Sequence, residues 1–351
     1  MRTIFTVFYL VVVFSSPVMA DQPRSAVADG NVTVLIYHRF ADSRYPSTSV
    51  SRERFHQQMA WLLARGYRVI GLDNLVDTLA KGERVSDKAV VITIDDGYRS
   101  VFEVARPVLR SFGYPYTVFV YVKAVEKGYG DFMSWDQLRQ LEKEGVIIGN
   151  HSFSHARMNE RPAGMGDEEY RNWISSDLVK SARVMMKRLG DSPRFFAIPY
   201  GGYNDVVLSE AKKAGYDAVL TQDPGSVSSS TDRFRIPREP ILGKDWSSMK
   251  HFEKVVRQVD LPLGGFSPPL GPVSAPVVFS AQVIEPQLYR PGDFEMYVSE
   301  LGWKKVALDG NRLGFDFAGP FTRKFNRVIL KGRRKSGEVA MSTWFIGPST
   351  P

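Results

Sequence analysis

From residue 31 to about residue 241, short uninterrupted apolar runs alternate with amphipathic stretches. "VTVLIYH" (32–38), "AVVITID" (89–95), "YTVFVYV" (116–122), "VIIGNHS" (146–152), "RFFAIPY" (194–200) and "YDAVLTQ" (216–222) read as strands, with "YRVI" (67–70) a shorter one. Runs without polar alternation indicate strands buried on both faces. The intervening stretches carry helical spacing. In "SRERFHQQMAWLLARG" (51–66), Phe55, Met59 and Leu62 share one face and Gly66 stops the helix. Helices are predicted likewise over 72–82, 101–113, 134–145, 168–190 and 204–215. This alternation predicts a parallel sheet, open or closed into a barrel.

The pattern changes after residue 258. "DLPLGGFSPPLGPVSAP" holds five prolines and three glycines and reads as a linker over 259–276. Beyond it the period is strand-like in "VVFSAQVIE", "FEMYVSE", "KKVALDG", "RLGFDFAG", "FNRVILKG" and "VAMSTWFIG". Six short strands over 277–351, with turn signals at Asp309-Gly310 and Ser336-Gly337, predict a small antiparallel sandwich.

At the other end, residues 1–20 ("MRTIFTVFYLVVVFSSPVMA") combine one Arg, a short apolar core, and Val18 and Ala20 where a signal peptidase reads. They are expected to be a secretory signal peptide outside the fold, leaving 21–258 as the first domain. Cysteine is absent. This excludes a Cys nucleophile, a Cys-ligated zinc finger and a lipidated cysteine, and the core alone must hold an exported chain. The net charge of +8 suggests an anionic polymer or membrane surface as a neighbour rather than nucleic acid, given export. "RKFNRVILKGRRK", with seven basic residues in thirteen, is the densest such stretch, readable as a solvated hairpin or as an attachment surface. An envelope-associated location, periplasmic or extracellular, and no anchor after signal cleavage are the expectations.

Candidate chemistry concentrates at strand ends. The run "KAVVITIDDGY" places Asp95 and Asp96 where a buried strand stops. Two of the five histidines, His151 and His155, stand four apart just past "VIIG", a spacing that one helical turn would put on one face. In α/β sheets, ligands gather at the carboxyl ends of strands. The zinc-protease pattern is excluded, because Ser152 stands where its Glu would follow the first His. Two imidazoles and a carboxylate suit a hydrolytic zinc site or a non-haem iron oxygenase. The second aspartate favours the hydrolase, which needs a base. "FFAIPYGGYND" is by itself an ordinary strand-to-helix turn.

Together these stretches resemble the polysaccharide deacetylase family, the NodB-homology enzymes of carbohydrate esterase family 4. "TIDDG", "HSFSH" and "AIPYG" are similar to its first three motifs, in order, within residues 31–241. The resemblance implies a distorted, incomplete (β/α) barrel. It implies that Asp96, His151 and His155 hold a divalent metal, most simply Zn2+, that Asp95 is the general base, and that the Tyr200 N–H helps stabilise the oxyanion.

Two departures matter. The family's third-motif Arg, which orients the base, falls at Phe196, and Leu242 stands where the late D-x-x-D-W motif should begin. This combination, with the early "YH" of "VLIYHRF", is similar to the subgroup acting on poly-N-acetylglucosamine exopolysaccharide. By that resemblance His38 is the general acid, with His251 in "SSMKHFEKV" the competitor, read as an exposed residue of a terminal helix. Deacetylation of peptidoglycan or chitin oligomers, and glycan binding without catalysis, are the alternative functions. His56 is expected to be structural. Trp135 and Tyr203 suit either sugar stacking or packing, and Trp303, Phe315, Phe317 and Trp344 are expected in the core of the C-terminal module.

Overall fold

The computed structural model describes residues 30–347, so the expected signal peptide lies outside the described residues. In chain order the first part contains β1 (Val32–Tyr37), the two-residue strands β2 (Arg39–Phe40) and β3 (Ser49–Val50), α1 (Arg52–Ala64), β4 (Arg68–Val69), α2 (Leu72–Lys81) and β5 (Ala89–Ile94). A helical turn at Val101–Ala105 leads into α3 (Arg106–Phe112). Then come β6 (Thr117–Val120), α4 (Val122–Glu126), α5 (Trp135–Lys143), β7 (Ile147–Asn150), α6 (Asp167–Leu189), β8 (Phe195–Ala197), α7 (Asp205–Lys213), β9 (Ala218–Leu220), β10 (Glu239–Pro240) and α8 (Met249–Val256).

Apart from β2 and β3, which pair only with each other, these strands form one parallel sheet in the order β10-β1-β5-β6-β7-β8-β9, with β4 also beside β5. Every residue of β1 and β5 is buried, because helices cover one face and the barrel interior the other. The ring is an incomplete (β/α) barrel, open between β9 and β10. One segment narrows the gap: Ile236 bridges Leu220 of β9, and three residues later Glu239 pairs with Leu35 of β1. Arg238 sits in this closing segment. The larger apolar cluster joins the sheet to α1, α3, α5 and α8 through Phe55, Leu62, Leu109, Leu138 and Phe252.

The stretch expected as a linker carries structure instead. Within 259–276 lie β11 (Val259–Asp260) and β12 (Leu263–Ser267). They are followed by β13 (Val277–Val283), β14 (Glu295–Val298), β15 (Gly302–Lys305), β16 (Arg312–Phe317), β17 (Asn326–Arg333) and β18 (Val339–Ile346). β15 begins two residues before the expected "KKVALDG" strand and ends at its second lysine. A five-stranded sheet, β11-β18-β17-β14-β15, faces a three-stranded one, β12-β13-β16. Phe279 and Leu313 from one meet Met296, Val328 and Leu330 from the other in a common core. The prolines of the expected linker did not prevent pairing, because none falls inside β11 or β12: Pro262 lies between the two strands and Pro268 directly follows the second.

The two modules are fastened together. β11 pairs in parallel with the final strand, Val259 against Ala340. Arg327 Nε lies 3.2 Å from Asp223 Oδ1, Thr343 Oγ1 donates to Pro224 O at 2.7 Å, and the Phe345 ring lies 5.1 Å from Tyr203. No helix among the described residues is long and apolar enough to cross a membrane.

Candidate functional site

Four strand ends converge at the carboxyl edge of the barrel: His38 follows β1, Asp95 and Asp96 follow β5, His151 and His155 follow β7, and Tyr200 follows β8. The chain turns sharply at each of the last three. Asp96 (φ 71°), Ser152 (φ 65°), His155 (φ 54°) and Tyr200 (φ 59°) all adopt left-handed backbone, which is strained for residues with a Cβ and is held only by surrounding contacts. Gly97 continues the turn after Asp96 at φ 79° against Val120, a conformation glycine adopts at no steric cost.

The turns separate the two aspartates. Asp95 points into the barrel, wholly buried, and receives a fork from Arg238: Nη1 to Oδ1 at 2.7 Å and Nη2 to Oδ2 at 2.8 Å. Arg238, equally buried, also donates to Thr221 O at 2.8 Å and Thr93 Oγ1 at 3.2 Å. Burial is the largest single influence and acts to raise the Asp95 carboxyl, but the Arg238 charge, the nearby His151 and the Arg238 hydrogen bonds together outweigh it, and the group lies below the ordinary carboxylate range. Asp96 points toward the histidines. Its Oδ1 lies 3.0 Å from His155 Nε2 and 3.5 Å from His151 Nε2.

The His151–His155 spacing is not realised by a helical turn, as the sequence suggested. Residues 151–157 form an irregular loop tied at both ends. Asn150 Oδ1 accepts from Ser152 N at 2.8 Å and Ser152 Oγ from His155 N at 2.8 Å. The buried Asp177 carboxylate of α6 accepts from Phe153 N (2.7 Å) and Ser154 N (3.0 Å). His151 Nδ1 lies 2.7 Å from Ala197 O. A carbonyl only accepts, so Nδ1 carries the proton, and Nε2 of the neutral ring keeps its lone pair toward Asp95 (3.6 Å) and Asp96. Burial pushes the His151 imidazolium down to about 4, which keeps the ring neutral.

One donor atom each from Asp96, His151 and His155 lies within 4.8 Å of the other two. Asp96 Oδ1 is buried with no hydrogen bond of good geometry, an orphaned acceptor that a cation would satisfy. One carboxylate and two imidazoles, one with its tautomer fixed by a backbone carbonyl, match the donor set of a divalent metal with open positions. The residues fit such an ion.

His38 acts electrostatically on both aspartates, and its Nδ1 is buried without a partner. His251 is in α8 as expected but half-buried rather than exposed, its Nε2 3.1 Å from Pro240 O and its ring beside Trp246. Tyr200 is 46% exposed, its ring between His155 and Arg157. Trp135 and Tyr203 are packing residues: Trp135 is buried with Nε1 on Glu126, and Tyr203 is buried with its hydroxyl donating to Asp223 at 2.8 Å. His56 is exposed on α1 against Phe112.

Two residues escaped the sequence reading. Arg238 stands where Phe196 cannot serve; no local pattern in "RIPREP" marks it, and the only signal that could have led to it is the need of a buried aspartate for a cation. Arg39, beside His38, is sandwiched between the rings of Tyr45 (3.8 Å) and Tyr98 (3.5 Å) and bridges Asp42 and Asp131. It thereby ties the β2–β3 loop to the loop between α4 and α5 at the mouth of the site.

Carboxylates and imidazoles gathered at the strand ends of such a barrel are the residue types that hydrolytic chemistry uses. Residues 82–219 match the sequence model of the family described as polysaccharide deacetylase. The chain contains a polysaccharide deacetylase domain. It is 27% identical over 250 residues to the poly-beta-1,6-N-acetyl-D-glucosamine N-deacetylase of Escherichia coli (strain K12), spanning 62% of this chain but only 36% of that protein. It is also 27% identical over 232 residues to the enzyme of the same name from Staphylococcus aureus (strain MSSA476), covering 64% of this chain and 77% of the relative. The fold is similar to that of IcaB from Ammonifex degensii, with a TM-score of 0.54 at 26% identity over 65% of this chain and 96% of that one.

Proposed function

We propose that the protein is a metal-dependent deacetylase that hydrolyses N-acetyl groups from an N-acetylglucosamine polymer of the exopolysaccharide type and acts outside the cytoplasm. The observation that carries this reading is the grouping of Asp96, His151 and His155 donor atoms within 4.8 Å beside a second aspartate whose carboxylate is fixed by Arg238. A divalent ion in that group, most simply Zn2+, supplies positive charge that polarises an amide carbonyl and acidifies water. In this reading Asp96, His151 and His155 hold the ion.

Asp95 takes the proton from the attacking water. Arg238 keeps it ionised and restricts its orientation, the task that the absent third-motif arginine would otherwise perform. The Tyr200 N–H, at the positive-φ turn after β8, donates to the carbonyl oxygen as negative charge develops there; such a donor contributes roughly 3–4 kcal/mol. His38 returns a proton to the leaving nitrogen, so the amide C–N bond breaks to acetate and a free amine. Residues 21–258 form the catalytic unit in this reading, and the sandwich is accessory.

The test is acetate release from poly-N-acetylglucosamine oligomers, chitin oligomers and peptidoglycan, with and without chelator. Chelator-sensitive release, greatest on the first substrate and lost in Asp95→Asn, is expected. Release by metal-free protein, or none from any substrate with metal bound, refutes the reading.

A further inference from the structure

Trp303 is 47% exposed, whereas Phe315 and Phe317 pack against the core of the sandwich and Trp344 is buried within it. An exposed tryptophan on an edge strand is a liability for aggregation unless something uses it. Cross-strand register puts Trp303 opposite Tyr297, Tyr297 opposite Ile329, and Ile329 opposite Thr343. Directly paired residues share a face, so these four form one row across β15, β14, β17 and β18. The Tyr297 and Trp303 rings lie 5.3 Å apart. The row begins at the barrel, where Thr343 bonds Pro224 O and the neighbouring Phe345 contacts Tyr203, three residues after Tyr200. At about 4.8 Å per strand, Trp303 stands roughly 14 Å outboard of Thr343.

The surroundings are cationic. Lys331 Nζ sits 4.5 Å from the Trp303 ring and ion-pairs with Glu295. Lys305, two residues along the same edge strand and opposite Glu295, is exposed on the same face. A sugar ring can stack on Trp303 and Tyr297, but a protonated amino sugar placed there meets the lysines. Neutral N-acetylated sugars do not.

We infer that the Trp303–Tyr297 face is a second binding surface, outside the catalytic site, for a still-acetylated stretch of the same polysaccharide. Resting on the function proposed above, it would hold unmodified chain beside the barrel mouth and release chain once amines are exposed.

The experiment uses the full chain treated with chelator, so that ligand is not consumed, and measures binding of fully acetylated and fully deacetylated N-acetylglucosamine oligomers. Expected are binding of the acetylated oligomer, at least tenfold weaker binding of the deacetylated one, and about a tenfold loss for the acetylated one on adding Trp303→Ala. Lys331→Glu should narrow the preference, which gives a second readout independent of the aromatic pair. In the active protein, Trp303→Ala should raise KM for polymer about tenfold more than KM for a dimer. Equal affinity for the two oligomers, or affinity unchanged by Trp303→Ala, overturns the inference. Absence of acetate release by wild-type protein that binds through Trp303 overturns the proposed function instead.

Discussion

Replacing Arg238 with methionine removes a fully buried cation while keeping most of its length. Two bonds to Asp95, one to Thr221 O and one to Thr93 Oγ1 are lost, and the Asp95 carboxylate stays wholly buried with no cation beside it. Breaking one side of a buried ion pair costs about 3–5 kcal/mol, a large share of the 5–15 kcal/mol typical of a domain. Asp95→Asn strands the guanidinium and should cost a similar amount. The double variant has no unpaired charge. It should therefore be destabilised by about as much as one single change, a coupling energy of roughly 3 kcal/mol or more. Urea unfolding of chelator-treated protein measures this without contribution from bound metal. Activity of Arg238→Met should fall roughly 100-fold, as expected for a misplaced reacting group. Single-variant costs that simply add, within about 0.5 kcal/mol, would refute the pairing.

Asp177→Ala should release the Phe153 and Ser154 amides and lower affinity for Zn2+ by 10- to 100-fold, as loss of supporting contacts does at metal sites; competition with a chromophoric chelator reads this. Gly201→Ala places a Cβ 2.4 Å from Gln222 Cβ at a residue with φ 73°, so it should destabilise by more than about 1 kcal/mol and depress activity through the Tyr200 turn. Burial raises the Glu239 carboxyl from 4.5 to about 7, although Gly225 N and Gln258 Nε2 donate to it. The folded state thus holds a proton that the unfolded chain releases. Its stabilisation is fully present below pH 4.5 and is lost as pH rises to about 7, on the order of 3 kcal/mol in total. Glu239→Gln should abolish that slope in unfolding free energy measured across pH 4.5–7.5; an unchanged slope would exclude Glu239 as its source.

The candidate residues that the sequence pointed to are those whose strand and chemistry are adjacent in the chain. Asp95-Asp96 ends the apolar run of β5, and His151 ends β7, so hydrophobic pattern and site type were readable together. Arg238 lies 143 residues from its partner in a segment with only two strand residues nearby. Its role depends on the barrel gap that this segment spans, which no local pattern encodes. The helical spacing assigned to His151 and His155 failed for a related reason. Asn150 and the distant Asp177 hold that loop in left-handed turns, overriding the i, i+4 geometry. Proline content suggested a linker over 259–276, but the prolines there flank two short strands rather than interrupt them. Trp303 was misplaced because exposure depends on which side of the sandwich the barrel covers.

The parallel pairing of β11 with β18 has a bearing on the order of assembly. β18, which follows every other described strand in the chain, occupies an interior place in its sheet, between the strand that directly follows α8 and β17. Barrel elements through α8 can come together while the remainder is still being synthesised. The five-stranded sheet must wait for residue 346, and until Arg327 arrives the buried Asp223 has no partner from the C-terminal module. During that interval the seat of Phe345 on Tyr203 stays open to water, three residues from the Tyr200 turn. Support of the rim beside the candidate site is thereby coupled to synthesis of β18, and a product ending short of it would carry a barrel with one wall of its rim unsupported.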